Sequence, residues 1–275
     1  MSASDRQGGR RLRLGFVGWG AIATRVAQLL SERGAPVDIV AVAVRDAARS
    51  RSDLPTGARL ISEPAKLAGL GLDMVIEAAG RPSVPVWGEA ALRHARRFAV
   101  SSTSAFCDEA LLARLVDVAR ENGSQIVIPP GALGGMDALT AASAVRVDEV
   151  AHFIVKPPRA WKGTAAETLL DLDALAEPKT FFAGTARQAA DAFPQNANVA
   201  VISALAGIGL DRTRVELVAD PAASRNSHRL SASGAFGRMQ MLFENEPLKT
   251  NPKSSELTAL NLVRLVENQV APLAH

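Results

Sequence analysis

Apolar runs alternate with amphipathic stretches through the first half of the chain. Residues 12–17 are a short apolar run, and 21–33 follow with apolar positions at helical spacing. Residues 37–44 carry almost no polar side chains, and 74–77, 98–101 and 125–128 are further short runs of the same kind. Helical patterns at 84–94 and 107–122 separate these last three. Strands apolar on both faces, spaced by amphipathic helices, are what a parallel sheet covered on both sides requires. The pattern therefore predicts an α/β fold that begins with a doubly wound parallel sheet of the Rossmann type.

After Pro129-Pro130-Gly131 the period shortens to two. Residues 147–155, 179–183, 214–219, 228–233 and 238–244 predict strands of a second, α+β domain with a mostly antiparallel sheet. In the last of these, Met239, Met241 and Phe243 share one face, as a half-buried strand demands. Helices are expected at 186–192 and 197–207, and a final one at 254–267. The division expected is a dinucleotide-binding domain over 1–130 and a second, substrate-binding domain over 131–251.

Composition narrows the function classes. Hydrophobic residues make up 48% of the 275, enough for two modest cores. Thirty-one basic against twenty-eight acidic residues leave a net charge of +3, which argues against a nucleic-acid-binding protein. Arg6, Arg10, Arg11 and Arg13 read as a solvated lead into the first strand. Cys107 is the only cysteine, so one chain can build no disulfide and no cysteine-based metal site; a small, partly buried role is expected for it. The first residues lack the apolar stretch of a signal peptide, and the longest apolar block, 199–210, is too short to span a bilayer. The expectation is a cytoplasmic protein with no membrane partner.

Gly18-Trp19-Gly20-Ala21-Ile22-Ala23 follows the first apolar run and opens the first helical pattern. In that setting Gly18 permits a tight turn, and Gly20 lets the backbone approach a pyrophosphate. The N–H groups at the helix start, from Ala21 to Ala23, would face the phosphates, while Ala23 allows close helix–strand packing. The second strand should end in a residue that reads the adenosine ribose. Arg45 suits the 2′-phosphate of NADP and Asp46 the hydroxyls of NAD, with Arg49 and Arg51 nearby, so NAD and NADP both stay open.

Phe193-Pro194-Gln195-Asn196-Ala197-Asn198-Val199 sets small amides before an apolar helix, where asparagine also serves as a helix cap. Among the four histidines, His275 is terminal and His94 sits at the basic end of a helix. His152, in an apolar strand, reads as a core histidine bonded to a backbone group. His228 shares a strand face with Asn226, Leu230 and Ala232, opposite Ser227, Arg229, Ser231 and Ser233, so it should point inward beside an amide. Such an imidazole suits acid–base work near neutral pH, and equally a structural role.

Five motifs in order make the chain resemble the aspartate dehydrogenase family from about residue 12 to residue 268. They are the glycine turn, Gly131-Ala132-Leu133-Gly134-Gly135-Met136-Asp137, Lys156-Pro157-Pro158, the amide segment through Arg225-Asn226-Ser227-His228, and Asn251-Pro252-Lys253. The resemblance implies that L-aspartate is oxidised with NAD or NADP to iminosuccinate, in a role that supplies NAD biosynthesis. It assigns catalysis to His228 and cofactor contact to Ala132 and Asn198. It also implies a homodimer, and a C-terminal helix within 252–275 that packs back on the first domain. A dicarboxylate needs cationic partners at both ends, for which Lys156 and Lys253 are candidates beside Asn226. Arg225 is weaker, being on the opposite strand face. No metal is required, and no cluster at ligand spacing offers one.

Three other readings share this plan. A sugar or polyol dehydrogenase of the glucose–fructose oxidoreductase type would carry Glu-Lys-Pro where this chain has Val155-Lys156-Pro157. Dihydrodipicolinate reductase would show paired histidines followed by a lysine, which are absent. A non-catalytic dinucleotide-binding regulator would keep the glycine turn without needing Asn226 and His228 to face inward.

Overall fold

The computed structural model describes residues 10–48, 51, 53–194 and 198–274. Arg6, Arg49, Asn196 and His275, weighed above, lie outside the described residues. The chain divides into two units. One consists of the described residues of Met1–Val100, Arg114–Val127 and Leu262–His275, the other of Ser101–Ala113 and Ile128–Asn261.

In the first unit the predicted alternation is realised. The chain runs β1 (Leu12–Val17), α1 (Ala21–Glu32), β2 (Val37–Ala43), β3 (Arg59–Ile61), β4 (Leu72–Glu77), α2 (Ser83–His94), β5 (Ala95–Val100), α3 (Glu109–Asn122) and β6 (Gln125–Val127). The six strands lie in the order β3-β2-β1-β4-β5-β6, and every pairing is parallel. This is the doubly wound order whose switch point falls beside the first strand. Every residue of β4 is buried, as a central parallel strand requires. Helix α1 buries Ala23, Val26 and Leu30, a stripe at helical spacing. Strand β3 does not stand out in the sequence because only Leu60 and Ile61 in it are apolar, whereas the equally short β6 overlaps the run Ile126-Val127-Ile128.

Beyond Ile128 the second unit resumes with α4 (Met136–Ala142), a helix the sequence pattern does not announce. It continues through β7 (Val147–Lys156), β8 (Lys179–Thr185), α5 (Ala186–Ala192), α6 (Asn198–Ala206), β9 (Arg214–Ala219), β10 (Asn226–Gly234) and β11 (Gly237–Asn245). The short pair β12 (Pro247–Leu248) and β13 (Asn251–Ser255) leads into α7 (Glu256–Glu267). Five strands form one sheet in the order β11-β10-β7-β9-β8. Three neighbouring pairs are antiparallel and only β7–β9 is parallel, which matches the mostly antiparallel expectation. Its core has two parts. Trp161, Phe193, Val201, Val215 and Leu217 pack in one, and Leu133, Leu139, Val150, Ile202 and Leu230 in the other. Cys107 is partly buried against the first of these.

Helix α5 starts with a capping box. Thr185 accepts from the Gln188 backbone, and the Gln188 side chain accepts from the Thr185 backbone. Helix α6 is apolar all round and buries Ala200 through Ala204. That burial carries Ser203 into the interior, where its hydroxyl must find partners.

Candidate active site

The glycine turn is built by what its residues lack. Gly18 has φ +90°, and a Cβ there would lie 2.7 Å from the Cα of Ala79. No side chain fits at that point, so the turn is closed to any residue but glycine. Gly20 caps α1 without a side-chain bond, no acid occupies the first helical turn, and a Cβ at Gly20 would meet nothing within 4 Å. The entry of this 12-residue helix is thus open beside Gly20, with Ala21 and Ile22 following it and Ala23 buried against the core. A dinucleotide's phosphates fit such a cradle.

A residue that sequence reasoning passed over holds this turn in place. Glu77 is fully buried at the end of β4, and its Oε1 accepts from the Ala79 N–H, the Gly80 N–H and the Ser83 hydroxyl, each at 2.8 Å. The loop thus tied down is the one that Gly18 packs against. Arg45 and Asp46 stand exposed just past β2, and Asp46 accepts a local bond from the Ala48 N–H at 3.0 Å.

In the second unit, Ala132 sits in a turn gripped by two buried asparagines that the sequence reading had not singled out. Asn245 donates to the Ala132 carbonyl at 3.0 Å, and Asn261 donates to the carbonyls of Gly131 and Leu133 at 2.8 Å each. Gly131 turns there with φ +64°. Asn198 is the first residue of α6, and its side chain bonds away from its own helix. Its Oδ1 accepts from the Ser104 N–H at 2.9 Å, and its carbonyl accepts from the Thr103 hydroxyl at 2.8 Å. The side chain is held by its oxygen, and its amide nitrogen is the group left to donate.

His228 points inward as the strand alternation requires, with only 4% of its surface exposed. On β10 it stands between Ile154 of β7 and Phe243 of β11. The reading of His152 needs correction: its ring bonds to side chains, not to a backbone group. Nδ1 of His152 lies 2.9 Å from the Ser203 hydroxyl, and Nε2 lies 3.3 Å from Nδ1 of His228. Burial pushes His152 down to about 3. Burial foremost, then the neighbouring His152 and Lys156, holds His228 well below the ordinary imidazole value. Both rings are neutral at neutral pH, so His228 can receive a proton.

Lys156 ends β7 with its Nζ 4.8 Å from the centre of the Trp161 ring, and burial lowers it to about 8. It lines a cavity of about 400 Å³ together with Asn226 and Lys253. The structure thus brings these three sequence candidates to one place. It adds Arg159, Lys162 and Arg225 to the same wall. Arg225 had been set aside by strand alternation, but it precedes β10, where alternation has no force. It pairs with Glu246 at 2.5 Å, and Lys162 pairs with Asp173 at 2.6 Å. Lys253 was expected at the start of the last helix. It lies instead in β13, and Ser255 is the residue that accepts from the Leu257 N–H as α7 begins. His94 is exposed at the end of α2.

Strand order and glycine turn together define the class: a protein with a doubly wound dinucleotide-binding domain. Residues 18–129 match the NAD-binding domain family described for homoserine dehydrogenase, and residues 137–269 match the family described as aspartate dehydrogenase, C-terminal. An L-aspartate dehydrogenase of Brucella anthropi is 64% identical over 93% of this chain and 96% of its own length. One from Ruegeria pomeroyi is 40% identical over 96% and 95% respectively. The crystal structure of aspartate dehydrogenase from Thermotoga maritima superposes with a TM-score of 0.77 at 25% identity, covering 96% of this chain and 99% of that one. The chain belongs to the aspartate dehydrogenase family.

Proposed function

We propose that this enzyme oxidises L-aspartate with NAD or NADP, releasing iminosuccinate that hydrolyses to oxaloacetate and ammonia. The observation that carries the substrate reading is the cavity at the end of β7 and the start of β10. Five cationic side chains line it, and Asn226, two residues from His228 on the same strand face, reaches it too. A dicarboxylate amino acid needs two such cationic anchors, which a sugar or polyol does not. Lys156 and Lys253 are assigned to the carboxylates, and Asn226 to orienting the substrate.

The substrate's ammonium has no lone pair. His228, neutral through burial, takes a proton from it, or from the water that later attacks the imine. The freed lone pair then forms the C=N bond as hydride leaves the α-carbon. The bound nicotinamide, when present, supplies the acceptor for that hydride. Burial is the main cause of the lowered His228 value, with Lys156 a smaller one, and substrate carboxylates beside Lys156 would offset that smaller part.

Gly18, Gly20, Ala21, Ile22 and Ala23 are assigned to the pyrophosphate, Arg45 and Asp46 to the adenosine ribose, and Ala132 and Asn198 to further cofactor contact. The remaining assignments are a homodimer working in the cytoplasm, domains over 1–130 and 131–251 with the segment 252–275 returning to the first, and a product that feeds NAD biosynthesis. The test is a panel of amino acids and polyols supplied with each oxidised dinucleotide, read at the nicotinamide absorbance. L-Aspartate should be the fastest substrate; rapid turnover of a polyol with none of L-aspartate would overturn the reading.

A further inference from the structure

Ser203, His152 and His228 form a buried line, with 0%, 1% and 4% of their surfaces exposed. They come from α6, β7 and β10, and sequence alone associates none of them with another. The direction of each hydrogen bond along this line can be worked out from its far end. The Ser203 hydroxyl donates to the Ala200 carbonyl, 3.0 Å away in its own helix. A hydroxyl has one proton, so towards His152 the serine oxygen offers only lone pairs.

With the serine proton committed to Ala200, Nδ1 of His152, 2.9 Å from that oxygen, is the nitrogen assigned the hydrogen. His152 is neutral because of its burial, so its Nε2 bears a lone pair. That lone pair faces Nδ1 of His228 at 3.3 Å, with the two ring centres 5.4 Å apart. Two facing lone pairs would repel, so Nδ1 of His228 must supply the hydrogen between them. Nε2 of His228 is left with its lone pair, as the basic atom. The titratable groups facing His228 are His152 and Lys156, both on β7. From β11 its partner is the apolar Phe243, and α6 joins the line through Ser203.

We infer that His152, held by Ser203, is a positioning residue that locks His228 in the tautomer whose Nε2 accepts the substrate's proton. The inference rests on the reading of His228 as the base. Its role parallels that of the aspartate in a serine protease triad, but a neutral ring does the work. A carboxylate in that place would stabilise the imidazolium and make its proton harder to pass on. A neutral acceptor sets the tautomer while leaving His228 a weakly held proton.

The test uses the full-length enzyme labelled with ¹⁵N at histidine. Long-range ¹H–¹⁵N spectra at neutral pH, assigned with His152→Gln and His152→Leu, report which ring nitrogen carries hydrogen. Both His152 and His228 should show Nδ1–H. In kinetics, His152→Leu should lower kcat about 100-fold, by analogy with the loss seen when a catalytic imidazole takes the wrong tautomer, with KM changed less than about twofold. His152→Gln, whose amide oxygen can still accept, should recover roughly tenfold of that loss. Should His152→Leu fail to fold, Ser203→Ala serves instead: it deletes the acceptor that orients His152, and mixed tautomers should appear at His228.

Nε2–H at His228 in the unsubstituted enzyme overturns the inference, as does equal kcat in the Leu and Gln variants. Those outcomes leave aspartate oxidation standing. Correct tautomers in an enzyme that does not turn over L-aspartate would instead overturn the substrate reading and leave the inference intact.

Discussion

The glycine turn of the first unit and the sheet face of the second are opposite ways of making a site. The turn is six consecutive residues working through main-chain N–H groups, with Gly18 pressed to 2.7 Å of Ala79 by the measure of an absent Cβ. The sheet face collects His152, Lys156, Ser203 and His228 from three elements, and only their side chains matter. Adding atoms therefore damages the first site, and removing them damages the second. That asymmetry is open to experiment.

The largest effect should come from the sheet face. His228→Ala should cut kcat by about 10³-fold or more while dinucleotide affinity, followed by calorimetry, stays within about twofold. A variant that loses cofactor binding as well would dissolve the distinction between the two sites. Next, Lys156→Met should raise KM for L-aspartate about 10- to 100-fold, and Arg225→Met, whose charge is already engaged by Glu246, should do less. Equal effects from the two would mean that the cavity acts as a diffuse positive field instead of through particular anchors.

A smaller contrast lies within the turn. Gly18→Ala should cost roughly 1–3 kcal/mol of stability, because the new Cβ meets backbone at a positive φ. Gly20→Ala has room and an extended φ of −106°, so thermal unfolding should barely move while dinucleotide affinity falls about tenfold. Identical behaviour of the pair in melting and binding would refute the assignment of separate jobs.

The smallest effect is a pH slope. His152 is depressed from about 6.5 to about 3 in the fold, and His228 is depressed as well. On unfolding both regain their ordinary values and take up protons. The stability tied to their neutrality is thus fully present above about pH 6.5 and is lost as pH falls from there towards about 3. Melting curves from pH 8 down to pH 4 should show the decline, and His152→Gln should make it shallower. An unchanged slope in that variant would show that other groups govern the acid limb.

The same asymmetry explains what could be read in the sequence. Strands β1 and β9 were found to the residue, because apolar runs bounded by glycine, arginine or aspartate announce themselves locally. The glycine turn was legible for the same reason, since all its parts are neighbours in the chain. Strand β3 has only Leu60 and Ile61 as apolar residues, and helix α4 follows directly on a glycine-rich motif. Neither stands out locally, whereas the equally short β6 and α5 do. His228 was found because alternation along one strand separates its two faces. His152 was misread: its apolar neighbours speak for a core, and its partner Ser203 is 51 residues away on a helix with no polar face. Asn245 and Asn261 act on a turn more than a hundred residues earlier, and nothing in their own surroundings points to it.

Glu77 and the pair Arg45–Asp46 border the same turn under contrasting constraint. The carboxylate of Glu77 is sealed in the interior with three short bonds, whereas Arg45 and Asp46 project into solvent. The mechanical frame that seats the phosphates is consequently separate from the surface positions assigned to telling one nicotinamide coenzyme from the other. Coenzyme choice in this enzyme should be easy to retune, in evolution or at the bench, by exchanging exposed side chains while the hinge of the turn stays untouched.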